Sequence, residues 1–146
     1  MEHIIHAGDI GAQWILDELE LIAPVSAVLG NCDYPEYSVL KEGTVVSVRS
    51  WEYITLAGLR IFIAHKPEDI NHVLFSREPT ALLDPLPHVC IHGHTHVPRD
   101  EMRGAIRMLC PGSPTKPRGG SKPTVLILDI PQDASVHEVG AQFVSV

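Results

Sequence analysis

The stretch Ile91-His92-Gly93-His94-Thr95-His96 limits what this chain can fold into more than any other. An apolar run, His88-Val89-Cys90-Ile91, stops at a glycine, and imidazoles stand at alternate positions around it. An apolar run that ends on Gly and then presents polar side chains reads as a buried strand delivering them into a loop. Neutral imidazole is the commonest metal ligand in proteins. A short His-rich tract signals metal only by its composition, however, so three unrelated polar residues on a turn is the competing reading.

The same pattern recurs three times. His3-Ile4-Ile5-His6-Ala7 runs into Gly8-Asp9, and Val25-Ser26-Ala27-Val28-Leu29 runs into Gly30-Asn31-Cys32-Asp33. Leu59-Arg60-Ile61-Phe62-Ile63-Ala64 runs into His65. Each is a short β-type run ending at a residue able to bind a metal ion. In layered α/β folds, ligands collect in the crevice beyond the carboxyl ends of the strands. Four such ends are expected to bring Asp9, Asn31, His65, His94 and His96 together.

The remaining chemistry narrows the field. At 146 residues the chain reads as one domain, 1–146, long enough to bury a core. Its formal net charge of −7, with no run of Lys or Arg, argues against nucleic acid or an anionic membrane as the main partner. Metal ions would still draw a phosphate into an acidic protein. No apolar stretch reaches the ~20 residues of a membrane helix. Met1-Glu2-His3 lacks both the basic start and the apolar segment of a signal peptide, so a cytoplasmic location is expected. Cys32, Cys90 and Cys110 are odd in number and without CxxC spacing, which indicates neither a disulfide framework nor a cysteine zinc site.

Along the chain, a strand over His3–Ala7 is followed by an amphipathic helix over Ala12–Ile22, with Trp14, Ile15, Leu19 and Ile22 as its core stripe. Pro24 stops it, and the next strand runs to Leu29. Tyr34-Pro35-Glu36-Tyr37 reads as a loop. Thr44–Val48, Trp51–Leu56 and Leu59–Ala64 read as strands rich in β-branched and aromatic residues, with Ala57-Gly58 as a tight hairpin turn. Lys66-Pro67-Glu68-Asp69 begins a helix through Phe75, and Thr80–Leu83 is a second short helical candidate. Val97–Met102 and Ala105–Leu109 form a hairpin about Arg103-Gly104. Thr124–Ile130 reads as a strong buried strand, and Ser135–Val139 with Gln142–Val146 as a final hairpin. One strand–helix–strand unit followed by hairpins predicts an α+β fold, a layered α-β-β-α sandwich with two sheets inside and helices outside.

Gly8-Asp9, Gly30-Asn31-Cys32-Asp33, the strand-end His65 and Gly93-His94-Thr95-His96, in this order, resemble the calcineurin-like metallophosphoesterases. The likeness is greatest to their small bacterial and archaeal phosphodiesterase branch, which Pro111-Gly112-Ser113 and Pro117-Arg118-Gly119-Gly120 also resemble. The resemblance implies a four-layer metallo-dependent phosphatase-like sandwich holding two divalent metals, often manganese, iron, nickel or zinc. It implies that Asp9 bridges the metals, that Asn31, His65 and His94 complete one site, and that His96 serves the other. It implies hydrolysis of a small phosphoester, a phosphodiester by the branch, with Asn31 at the phosphate and Arg118 and Lys116 supplying further charge from their loop.

The family opens with a strand ending in Asp-x-His and a helix before its Gly-Asp motif, and here Met1 lies just before the Gly-Asp strand. The expectation is therefore an N-terminally incomplete domain, a second site keeping only Asp9 and His96, one metal as the alternative to the family's two, and self-association through the unpaired sheet. Where many relatives place a His after the Asn as general acid, Cys32 stands, either as a proton donor or as an inert thiol. Two other readings accompany hydrolysis: a non-catalytic protein-binding scaffold, as in the family's retromer subunit, and a mononuclear metal-binding domain. Asp33 is either a carboxylate orienting a ligand or a turn former. His6 and His92 read as core residues, and His3, His72, His88 and His137 as surface ones.

Overall fold

A computed structural model describes residues 1–75, 83 and 85–146. Within these residues the chain runs β1 (Ile4–His6), α1 (Gln13–Glu20), β2 (Val25–Ala27), β3 (Ser38–Lys41), β4 (Thr44–Ser47), β5 (Trp51–Leu56), β6 (Leu59–Ala64) and α2 (Pro67–Phe75). It continues through β7 (Val89–Ile91), β8 (Pro98–Arg103), β9 (Ile106–Pro111), β10 (Thr124–Asp129), a 3-10 turn (Val136–Glu138) and β11 (Gly140–Ser145). The short helix expected over Thr80–Leu83 lies outside the described residues except for Leu83.

A five-stranded sheet of order β5-β6-β7-β9-β8 forms one inner layer. Its middle strands β6, β7 and β9 are parallel, and antiparallel β5 and β8 flank them. Both faces of the parallel strands are covered, so each strand is apolar on alternate sides rather than half polar. Leu59, Ile61 and Ile63 of β6, Val89 and Ile91 of β7 and Leu109 of β9 face one way, into a cluster with Ile5, Val28, Leu126 and Leu128 from β1, the end of β2 and β10. Phe62 and Ala64, Cys90, and Ile106 and Met108 face the other way, onto Ile70 of α2.

The second inner layer holds parallel β1-β2 and the antiparallel pair β10-β11. On its far side α1 closes a third cluster of Leu16, Val25, Ala27, Val39 and Val48. The order helix, sheet, sheet, helix is the predicted α-β-β-α sandwich. Among the described residues, no helix is long and apolar enough to cross a membrane.

Local chemistry explains the boundaries. The β5–β6 hairpin turns through Ala57 (φ 51°) and Gly58 (φ 83°), two left-handed residues in the type I′ pattern whose twist matches the strands. Helix α2 starts on Pro67, whose missing N–H costs nothing at a first helical position, with Glu68 and Asp69 at the positive end of the dipole.

Three expectations are corrected. Trp14 is 66% exposed, because the buried stripe of α1 centres on Leu16 with Ile15 and Leu19 and Trp14 lies round the helix from it, and Ile22, past the helix end at Glu20, is 63% exposed. Strand β10 is half-exposed: Leu126 and Leu128 pack inward while Val125 and Ile127 face solvent, as in a sheet with one face on the core. The final hairpin is β10 with β11, since Ser135–Val139 makes a 3-10 turn closed by a Ser135–Glu138 capping box. Strand β3 follows directly on the Tyr34–Tyr37 loop, in a stretch to which the sequence pattern assigns no element.

Candidate metal centre

The loops that leave β1, β2, β6 and β7 meet at one end of the two sheets. Glycines let them meet. A Cβ on Gly30 would lie 2.2 Å from Asp9 Oδ1, and one on Gly8 would lie 2.4 Å from His65 Nδ1. Asp9 (φ 57°), His94 (φ 66°) and His96 (φ 60°) all occupy the left-handed region. Asp and His tolerate that region better than most residues, yet each such position costs ~1–3 kcal/mol and persists only where the surroundings enforce it.

Hydrogen bonds fix the rings. His65 Nδ1 lies 2.7 Å from the Ala7 carbonyl, and His96 Nδ1 lies 2.7 Å from the Lys116 carbonyl. A carbonyl oxygen only accepts, so both Nδ1 atoms carry a hydrogen, and Nε2 is the nitrogen each ring turns to the cluster. His65 Nε2 then faces Asn31 Oδ1 at 3.1 Å and Asp9 Oδ2 at 3.5 Å. His96 Nε2 faces the same Asp9 Oδ2 at 3.7 Å. The His94 ring stands edge-on to His65, with centroids 5.2 Å apart. Nε2 of two imidazoles, a carboxylate oxygen and an amide oxygen thus converge, a set of donor atoms that suits a cation.

Among the described residues, no group of three or more His, Cys, Asp or Glu side chains stands ready-made around a metal position. The donors touch one another instead. As a set, carboxylate, amide and imidazole suit first-row transition ions better than calcium or magnesium. His65 forms the buried floor, and Asp9 and Asn31 stand exposed above it, so the cluster opens to solvent.

The other candidates lie close by. Cys32 is exposed, and its Sγ accepts from Asn31 Nδ2 at 3.7 Å. Arg118 is exposed, and its backbone N–H donates to the His96 carbonyl at 3.2 Å, which ties the 116–121 loop to the cluster.

Asp33 proves to be a clamp between two of the loops. Its Oδ2 accepts from the N–H of Ile10 (3.0 Å) and Gly30 (2.7 Å), and its Oδ1 from Gly11 (3.2 Å). Burial pushes the Asp33 carboxyl up, but these three donors outweigh it and hold the pKa below the ordinary carboxylate value. His6 is half-buried, its pKa is lowered first by that burial, and its Nδ1 accepts from Gly8 N–H at 3.3 Å.

His72 and His137 are exposed as expected. His3 and His88 are not simple surface residues. His3 Nε2 bonds Ser26 Oγ at 2.8 Å, and His88 Nδ1 accepts from Arg60 N–H at 2.9 Å.

Residues 1–133 match the calcineurin-like phosphoesterase superfamily domain. A probable metallophosphoesterase of Methanothermobacter thermautotrophicus is 33% identical over 144 residues, covering 97% of this chain and 78% of the relative. Phosphodiesterase YfcE of Escherichia coli K12 is 34% identical over 110 residues, covering 75% of this chain and 55% of the relative, so the match spans about half of that protein. The solved structure of an archaeal phosphodiesterase superposes with a TM-score of 0.74 at 23% identity, covering 100% of this chain and 84% of that one. With a family match over most of its length and the layered fold to go with it, the chain belongs to the calcineurin-like phosphoesterase superfamily.

Proposed function

We propose that the chain hydrolyses phosphoesters, phosphodiesters in particular, with divalent transition-metal ions of the manganese, iron, nickel or zinc type held by Asp9, Asn31, His65, His94 and His96. The observation that carries this reading is the approach of two Nε2 atoms, of His65 and His96, to one Asp9 carboxylate oxygen. A carboxylate has two oxygens and can serve two cations ~3.5–4 Å apart, the usual spacing in two-metal hydrolases. The names of the relatives support the reaction class.

Divalent ions held by these residues would supply Lewis-acid polarisation of a phosphoryl oxygen and would lower the pKa of a water. The chain's own residues do the rest. The Ala7 and Lys116 carbonyls hold the rings of His65 and His96 with Nε2 turned to the cluster. Asn31, exposed at the rim, turns its amide oxygen to the cluster and its amide N–H to Cys32, whose Sγ helps orient it. Arg118, on the loop tied to His96, adds positive charge where an anionic substrate approaches.

Turnover of bis(4-nitrophenyl) phosphate with added Mn2+ tests the proposal. Asp9→Ala and His94→Ala are expected to lose more than the ~10–100-fold typical of residues that only support a ligand. Metal binding without turnover would make the chain a binding domain of the same fold. No metal binding at all would end the proposal.

A further inference from the structure

We infer that His92 is a positioning residue. Its ring, locked in one tautomer by Arg99, pins the strained turn that presents His94. His92 is 1% exposed and lies in none of the ligand positions proposed above.

The turn comes first. Thr95 N–H donates to the Gly93 carbonyl at 2.8 Å, a bond that spans a single residue, His94, with φ 66°. This is a γ-turn of the positive-φ kind, which is rare and strained for a residue with a side chain. It needs an anchor, and the Gly93 carbonyl is that anchor. The carbonyl also faces His92 Nδ1 at 2.8 Å and the Cys110 thiol at 3.9 Å. The strand side of the loop is tied separately by Gly93 N–H to the His65 carbonyl, at 2.9 Å.

The tautomer follows from donor and acceptor counting. Arg99 Nη1 lies 3.2 Å from His92 Nε2. A guanidinium has only donors, so Nε2 must accept, and the ring hydrogen must sit on Nδ1, where it points at the Gly93 carbonyl. Glu101 holds Arg99 in turn, its Oε1 2.5 Å from Arg99 Nε. A line of directed bonds therefore runs from Glu101 on the rim of β8 through Arg99 and His92 to the peptide that sets the direction of His94.

Only the functional consequence rests on the metallohydrolase reading; the tautomer and the turn stand without it. Imidazole nitrogen NMR of the metal-free protein is expected to show His92 purely as the Nδ1–H tautomer and Thr95 N–H slow to exchange. Arg99→Met, on a strand at the sheet edge, is expected to mix the tautomers and speed Thr95 exchange. For metal binding, His92→Leu is expected to weaken Mn2+ affinity ~10–100-fold, and His92→Asn, which keeps an N–H near the Nδ1 position, to restore most of it. An Nε2–H tautomer, or Thr95 exchange unchanged in Arg99→Met, overturns the inference. So does equal Mn2+ affinity in wild type, His92→Leu and His92→Asn. If His92→Leu does not fold, the Arg99→Met measurements decide alone. If the wild type binds no Mn2+, the proposed function fails while the NMR still decides the role of His92.

Discussion

Replacing Asp33 by Ala removes three hydrogen bonds at once, those from the N–H groups of Ile10, Gly11 and Gly30. Bonds to a charged acceptor contribute ~1.5–3 kcal/mol each. Asp33 is only partly buried, so water replaces much of each bond, and about 1 kcal/mol apiece is the better figure. The expected loss is ~2–3 kcal/mol, or a fall in Tm of roughly 5–10 °C for a chain of this size. Asp33→Asn keeps one oxygen and is expected to lose about half as much. The pH dependence has a definite sign. The folded carboxyl titrates below its unfolded value, so its contribution is complete above about pH 4 and disappears as pH falls through the folded pKa. The gap between wild type and Asp33→Ala in urea midpoint should therefore be wide at pH 7 and close towards pH 3. Equal midpoints at pH 7, or a gap that grows in acid, would refute the clamp.

Two other outcomes follow from the packing. Gly30→Ala puts a methyl group 2.2 Å from Asp9 Oδ1 and 2.3 Å from the Asp9 amide nitrogen, so it should displace Asp9 and cost both stability and Mn2+ affinity, read by thermal melts and titration calorimetry. The pKa values of His3, His6, His88 and His92 are all lowered, with burial the first cause in each. Their folded rings stay neutral while the unfolded ones take up protons below about pH 6.5. Stability of the metal-free protein should thus begin to fall from that pH downward, in urea titrations at pH 7.5 and 5.5, and equal midpoints would contradict this.

Much of the fold is legible in local chemistry. Strands β5 and β6 end where expected because an Ala57-Gly58 turn joins two apolar runs, and both turn residues take the left-handed φ the hairpin needs. Strand β3 escapes because Val39 alone of its four residues is buried, and the Tyr34-Pro35 punctuation before it reads as loop. The 3-10 turn was written in the chain as Ser135 followed three residues later by Glu138, a capping signature that a hairpin reading passes over. At the metal centre, the side chains announce themselves because Asp, Asn and His stand directly after apolar strands. Their supports do not. The carbonyls of Ala7, Gly93 and Lys116 and the amides held by Asp33 are main-chain groups, which carry no residue identity.

Anomalous scattering from crystals grown with Mn2+ tests the cation cluster most directly. The predicted result is a peak within coordination distance of an Asp9 oxygen and of ring nitrogens of His65 and His94. A well-ordered Asp9, His65 and His94 with no peak among them, or with the metal bound elsewhere, would contradict it.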